Sequence, residues 1–484
     1  MTHVVIIGAG IIGLASAREL ASRGVGVTVL ERGMVAAGTS SRGEGNLLVS
    51  DKLIPAEAAL ALRSLQLWET LAAQSAEPFE HEPKGGIITA TTDRQLGLLT
   101  TQAQRQRQLG ITSSVLDMAA LRDLEPHLSH DVIGGLHYPQ DAQVMPIHAV
   151  RALARAASDL GVEVRTRVAV NGVSADRAGV LVRTSRGILR ADAVVNAAGP
   201  WAGEVAAACG GHAAVFPRRG LLLVTEPLPA GVVRHKVYDG RYIEAVASDE
   251  AAAQVAPVVE STASGTVLIG STREAVGWDE HVRWDLAGHL ARLVIQLFPD
   301  LATAHVMRTY QGFRPATPDH LPLIGPDAVV DGLFHHTGHE GAGIGLALGS
   351  AELLADAVLG GHVVTEFDPR RFAPPSGTVA CAMDELGVRA SPAAPPAAAC
   401  RVSVDGAPEG DTPRAGGAGR GSAATDWLSA GRQSWRRTRF LDRPRGLFCG
   451  IGHCHDCVVT DQFGETVRAC MTPAGDLPEA AGAR

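Results

Sequence analysis

Short apolar runs alternate with longer stretches whose apolar residues recur every three or four positions, from residue 3 to about residue 372. The runs at 4–7 (Val-Val-Ile-Ile) and 27–30 (Val-Thr-Val-Leu) have the length and β-branched content of buried strands, and 13–23 between them reads as a helix. Residues 56–69 and 149–160 are Ala/Leu-rich with apolar faces and are expected to be helices. From 217 to 282 several β-rich segments follow, including 220–225 and 265–269, which suit a sheet covering a substrate pocket. Alternation of this kind predicts an α/β fold.

The pattern stops near Pro374. Residues 391–399 form a Pro/Ala tract that should be extended and semi-rigid, and 407–424 is rich in Gly, Ala and Pro with little apolar period. Order-promoting residues return near Trp427. Three parts are expected: a main domain over 1–372, a linker over 373–399, and a small C-terminal domain over 400–484.

The first apolar run leads into Gly8-Ala-Gly10-Ile-Ile12-Gly13. The first glycine permits a tight turn, the second lets backbone approach a pyrophosphate, and the third allows close helix–strand packing, while the helix N-terminus favours phosphate charge. Glu31 ends the next strand, 18 residues beyond Gly13, where an acid binds a ribose hydroxyl and repels a 2′-phosphate. NADP is disfavoured; the motif alone does not separate FAD from NAD.

Seven cysteines are present, and four fall in the last 36 residues. Cys449, Cys454, Cys457 and Cys470 have the C-x4-C-x2-C…C spacing of a plant-type [2Fe–2S] site. Zinc sites more often use paired C-x2-C spacings, so zinc is the lesser alternative. Hydrophobic content of 46% and charged content of 19% are those of a globular protein, and a net charge of −8 gives no general reason to expect nucleic acid. No run of 18 apolar residues suggests a transmembrane helix, and no signal peptide precedes the first strand. The expected location is cytoplasmic; the resemblance described below extends this to peripheral attachment at an inner membrane.

Four further segments complete a resemblance. Gly38-Thr39-Ser40-Ser41, Val194 to Trp201 (Val-Val-Asn-Ala-Ala-Gly-Pro-Trp), Gly312-Phe-Arg314-Pro through Pro322-Leu-Ile-Gly325, and Gly338-His339-Glu-Gly341-Ala-Gly343-Ile344 are similar to segments of the D-amino-acid oxidase, glycine oxidase and sarcosine oxidase superfamily. That resemblance implies a Rossmann-type FAD-binding domain with an interleaved β-rich substrate domain. It implies cofactor contacts at Gly8, Gly10, Ile12, Gly13, Glu31, Arg32, Thr39, Ser40, Ser41, Val168, Ala198, Gly199, Trp201, Gly338, His339, Gly341, Gly343 and Ile344. It further implies a carboxylate-binding Arg314 and a pocket-closing Tyr242. Lys52 is a further pocket candidate. The usual covalent attachment residues are absent, so non-covalent FAD is expected.

The segment from Arg443 through Thr472 resembles the small ferredoxin-like (α+β) component of hydrogen cyanide synthase, D-hydroxyproline dehydrogenase and the opine oxidases. The implied protein is an FAD-dependent dehydrogenase that acts on the C–N bond of an amino acid, imino acid or opine and passes electrons to a [2Fe–2S] cluster. A second flavoprotein subunit and a respiratory acceptor are the implied partners. An oxygen-dependent oxidase with a structural cluster and a non-catalytic electron-transfer subunit are the alternatives. One departure is the Gly/Pro-rich segment 411–421, where the related components carry a helix; Gly and Pro there weaken a helix by ~1–3 kcal/mol per residue.

Overall fold

A computed structural model of the chain describes residues 2–176, 179–240 and 253–373, together with four short strands nearer the C-terminus. The chain divides into two compact units, Met1–Val388 and Arg389–Arg484.

The first unit contains a six-stranded sheet in the order Leu323–Pro326, Leu333–Thr337, Ala193–Asn196, His3–Ile7, Gly26–Glu31, Glu163–Thr166. Every neighbouring pair is parallel except the first. Strands covered on both faces read as continuous apolar runs, and Val4, Val5, Ile6 and Val29 are wholly buried. The helix Ile11–Ser22 connects His3–Ile7 to its parallel neighbour Gly26–Glu31 in the Rossmann manner. Two other helices begin earlier than their apolar period indicates. Pro55 opens Pro55–Gln74 and Pro146 opens Pro146–Asp159, and proline lacks only an N–H that this position leaves unused.

Helix Gly343–Val358 packs against Ile11–Ser22 and Pro55–Gln74. The buried Trp68 donates its indole N–H to the Ile344 carbonyl at 3.1 Å. The helical stretch Glu340–Val358 is long and apolar enough to cross a membrane, but 61% of that window is buried inside the protein. Core packing accounts for its apolarity.

A second, mixed sheet has eight strands in the order Val306–Ala316, Phe216–Pro227, Thr266–Arg273, Gln254–Ser261, Lys236–Asp239, Gly86–Ala90, Gly134–Tyr138, Ser114–Asp117. The β-rich stretch 217–282 supplies four of these strands. The others come from 86–138 and 306–316, joined by the parallel pairing of Lys236–Asp239 with Gly86–Ala90. Helix Trp284–Leu297 packs on this sheet through Leu290, Val294 and Leu297. Along the chain, the two sheets are visited in turn: 3–31, then 86–138, then 163–196, then 216–316, then 323–337.

In the second unit, Arg436–Arg437 pairs with Pro444–Arg445, and Val458–Thr460 with Thr466–Arg468, both antiparallel. Tyr242, residues 374–399 of the expected linker, and Cys449, Cys454, Cys457 and Cys470 lie outside the described residues.

Candidate active site

A cavity of about 480 Å³ has walls drawn from both sheets of the first unit. The nucleotide sheet contributes the glycine turn. Gly8 has φ +108°, and a Cβ there would lie 2.5 Å from the Ala197 carbonyl oxygen. A Cβ on Gly13 would lie 2.0 Å from the Gly8 carbonyl oxygen, so Gly13 serves helix–turn packing and does not line the cavity. Gly10 faces the cavity, where Ser40 Oγ accepts the Ile11 N–H at 3.0 Å. Exposed N–H groups and the helix dipole at this end favour an anionic group.

Glu31 and Arg32 also line the cavity, as do Ile12, Thr39 and Val168. Glu31 accepts the Ala9 N–H at 2.9 Å and the Gly33 N–H at 2.6 Å. Thr39 donates its hydroxyl to the Phe313 carbonyl at 2.6 Å, tying this loop to the substrate-side strand. Ser41, next to it, donates to the Gly38 carbonyl and stays off the cavity wall. Ala198, Gly199 and Trp201 follow the strand Ala193–Asn196 onto the wall. Trp201 stacks on Trp278 at 5.1 Å and carries the Arg32 guanidinium 4.0 Å over its ring. Trp278 was not among the expected residues, since nothing in its local sequence signals the stack.

The last glycine-rich turn brings His339, Gly341, Gly343 and Ile344 to the same cavity. Gly338 does not line it; its φ of +78° makes the turn. His339 is buried, and its pKa is pushed down to about 3 by burial and then by the Lys52 charge. Burial also holds His336 well below the ordinary histidine range, and its Nδ1 sits 2.7 Å from the Ser16 hydroxyl. Both rings are therefore neutral at physiological pH. His336 Nε2 and both ring nitrogens of His339 are buried with no hydrogen-bond partner. Such atoms call for a polar partner, and together with the open glycine turn they fit a long dinucleotide cofactor.

On the substrate side, Arg314 lines the cavity and donates to the Thr272 carbonyl at 2.9 Å. Arg273, Glu44 and Asn46 line it too, although sequence reasoning passed over them. Lys52 does not. Its buried ammonium is held by Glu57 at 2.8 Å and Asp51 at 3.2 Å. Burial would lower its pKa, but those carboxylates outweigh it and hold the group above its ordinary value. Among the described residues no cluster of three or more His, Cys, Asp or Glu is placed to hold a metal.

A family model described as FAD dependent oxidoreductase matches residues 3–357, and a 2Fe-2S iron-sulfur cluster binding domain model matches 421–477. The bifunctional protein ThiO/ThiG of Nostoc sp. is 32% identical over 74% of this chain, which spans about half of that relative, 52%. Glycine oxidase of Geobacillus kaustophilus is 30% identical over 74% of this chain and 94% of its own length. Hydrogen cyanide synthase subunit HcnC of Pseudomonas protegens is 33% identical over 53% of this chain and 60% of its own. The crystal structure of the Geobacillus glycine oxidase superposes with a TM-score of 0.68 at 27% identity, covering 78% of this chain and all of that one. The L-proline dehydrogenase of P. horikoshii shares the fold, with a TM-score of 0.70 at 23% identity over 77% of this chain and 97% of its own. This chain belongs to the FAD-dependent oxidoreductase family and carries a 2Fe–2S cluster-binding domain toward its C-terminus.

Proposed function

We propose that the chain is a dehydrogenase that oxidises the C–N bond of an amino acid, imino acid or opine, its electrons leaving through the [2Fe–2S] domain to an external acceptor. The observation that carries this reading is Arg314 on the wall of the same cavity as the glycine turn. A guanidinium fork holds a carboxylate bidentately and so orients the carbon beside it. FAD, when bound, supplies the hydride acceptor.

The chain's own residues do the remaining work. Gly8, Gly10 and the N-terminus of Ile11–Ser22 receive the pyrophosphate, and Glu31 the ribose. Thr39, Ser40, Trp201 and the turn from His339 to Ile344 flank the rest of the cofactor, while Tyr242 closes the pocket. Cys449, Cys454, Cys457 and Cys470 hold the cluster. Residues 1–372 form the flavin part, 373–399 a linker and 400–484 the cluster domain. Identity to glycine oxidase supports an amino-acid substrate. Identity to a subunit of hydrogen cyanide synthase supports a larger assembly. In this reading its other members are a second flavoprotein subunit and a respiratory acceptor, and the chain is cytoplasmic or peripheral to the inner membrane.

The test is an anaerobic visible spectrum of the purified chain before and after a panel of amino acids, imino acids and opines. Bleaching of flavin bands by one compound, followed by loss of iron–sulfur absorbance, is the expected result. Rapid peroxide formation in air, with no contribution from the cluster, would instead favour an oxidase, the reading to which the glycine oxidase similarity points.

A further inference from the structure

Glu44 sits in the loop Arg42-Gly-Glu44-Gly-Asn46 and lines the cavity together with Arg314. Its Oε2 accepts from the Asn46 amide at 3.0 Å, while its Oε1 is buried with no hydrogen-bond partner. The position is built by glycine. A Cβ on Gly270 would fall 1.9 Å from Glu44 Oε1, and a Cβ on Gly220 would fall 2.0 Å from Arg314 Nη1. Gly220 and Gly270 belong to paired strands, Phe216–Pro227 and Thr266–Arg273. Two neighbouring slots therefore admit one acid and one base into the same cavity.

The lysine whose charge acts on Glu44 does not use that oxygen. Lys236 is buried and engaged with Glu260 in an ion pair. Burial holds the Glu44 pKa above the ordinary carboxylate value; Lys236 pulls it down, Glu260 pushes it up, and the Asn46 amide and Arg314 lower it by lesser amounts. A buried carboxylate oxygen without a donor has lost its water without gaining a partner, which is costly. A cationic N–H arriving with a ligand removes that cost and adds a charge-assisted hydrogen bond.

We infer that Glu44 receives the cationic amine of the substrate, opposite the Arg314 guanidinium that takes its carboxylate. The cavity then selects zwitterions and discriminates against acids that carry a hydroxyl or ether in place of the amine. This rests on the amine-oxidising reading above and assigns the group that recognises the amine. Glu44 is a specificity-determining residue in this account, and no covalent step is assigned to it.

The test uses the full FAD-loaded chain and two probes of nearly the same shape, 2-aminoisobutyrate and 2-hydroxyisobutyrate. Neither amine oxidation nor turnover intervenes, because the amino acid has no hydrogen on its Cα. Dissociation constants at pH 7.5 are read from perturbation of the flavin spectrum. The native chain should bind the amino acid about tenfold more tightly or better. Glu44→Gln should abolish that preference and leave the hydroxy acid's dissociation constant unchanged. Equal binding of the two probes by the native chain, which needs no variant to fold, overturns the inference. So does a preference that persists in Glu44→Gln. A native chain that binds neither probe overturns the carboxylate site along with the role of Glu44, and so separates failure of the broader reading from failure of this one.

Discussion

Glu31 Oε2 accepts the backbone N–H of Ala9 at 2.9 Å, and its other oxygen accepts that of Gly33. One carboxylate thus ties the end of the second strand to the turn that follows the first. Glu31→Ala leaves both donors without this partner and removes about 2–3 kcal/mol. A melting temperature lowered by about 5 °C and a reduced ratio of flavin to protein absorbance are expected. An unchanged ratio would remove Glu31 from the cofactor site.

Asp141 gives a pH dependence of unusual sign. It is fully buried, accepts the Val49 and Ser50 N–H groups at 2.8 and 3.2 Å, and receives the Tyr238 hydroxyl at 3.2 Å. Burial, partly offset by the hydrogen bonds from Ser50 and Val49, pushes its pKa up to about 6. The unfolded value is about 3.9. Between ~4 and 6 the folded chain holds a proton that the unfolded chain has released, so this group's contribution falls by about 3 kcal/mol as pH rises across that window. Thermal melts of Asp141→Asn and the native chain, compared from pH 4.5 to 7.5, should diverge toward the higher pH with the variant the more stable. Parallel curves would refute the assignment.

Arg314→Met should raise the substrate's dissociation constant roughly 100-fold, the equivalent of about 3 kcal/mol. Flavin absorbance should be retained. Arg314→Lys keeps the charge without the planar fork and should fall between the two. Titration of all three proteins with the same substrate decides it.

Cys454→Ser should lower bound iron and the iron–sulfur absorbance while flavin content stays constant, because the two family matches occupy separate stretches of the chain. Iron and flavin assays on one preparation provide the check. Iron retained at the native level would exclude Cys454 as a ligand.

The glycine turn and Glu31 were legible because local spacing fixes them: a strand, a turn, a helix and the end of the next strand all lie within 31 residues. Arg314 was legible by resemblance, and the structure places it on the cavity wall. Lys52 was misplaced because sequence shows acidic neighbours without showing that Asp51 and Glu57 enclose its ammonium away from the cavity. Glu44 was passed over for a related reason. Its setting depends on Gly270, more than 200 residues away, and local periodicity carries no record of such a contact. The membership of 86–138 in the second sheet was hidden in the same way, since it rests on a strand pairing across about 150 residues.

Because the chain shuttles between its two sheets four times before residue 337, no contiguous cassette encodes the substrate lobe. Its specificity cannot be exchanged with that of a relative by splicing one segment. Retargeting has to proceed by substitutions scattered over Phe216–Pro227, Thr266–Arg273, Val306–Ala316 and the loop that bears Glu44. The same weaving makes residues 2–373 a poor subject for dissection into smaller expressible fragments, since any cut between the strands Gly86–Ala90 and Val306–Ala316 would divide both sheets.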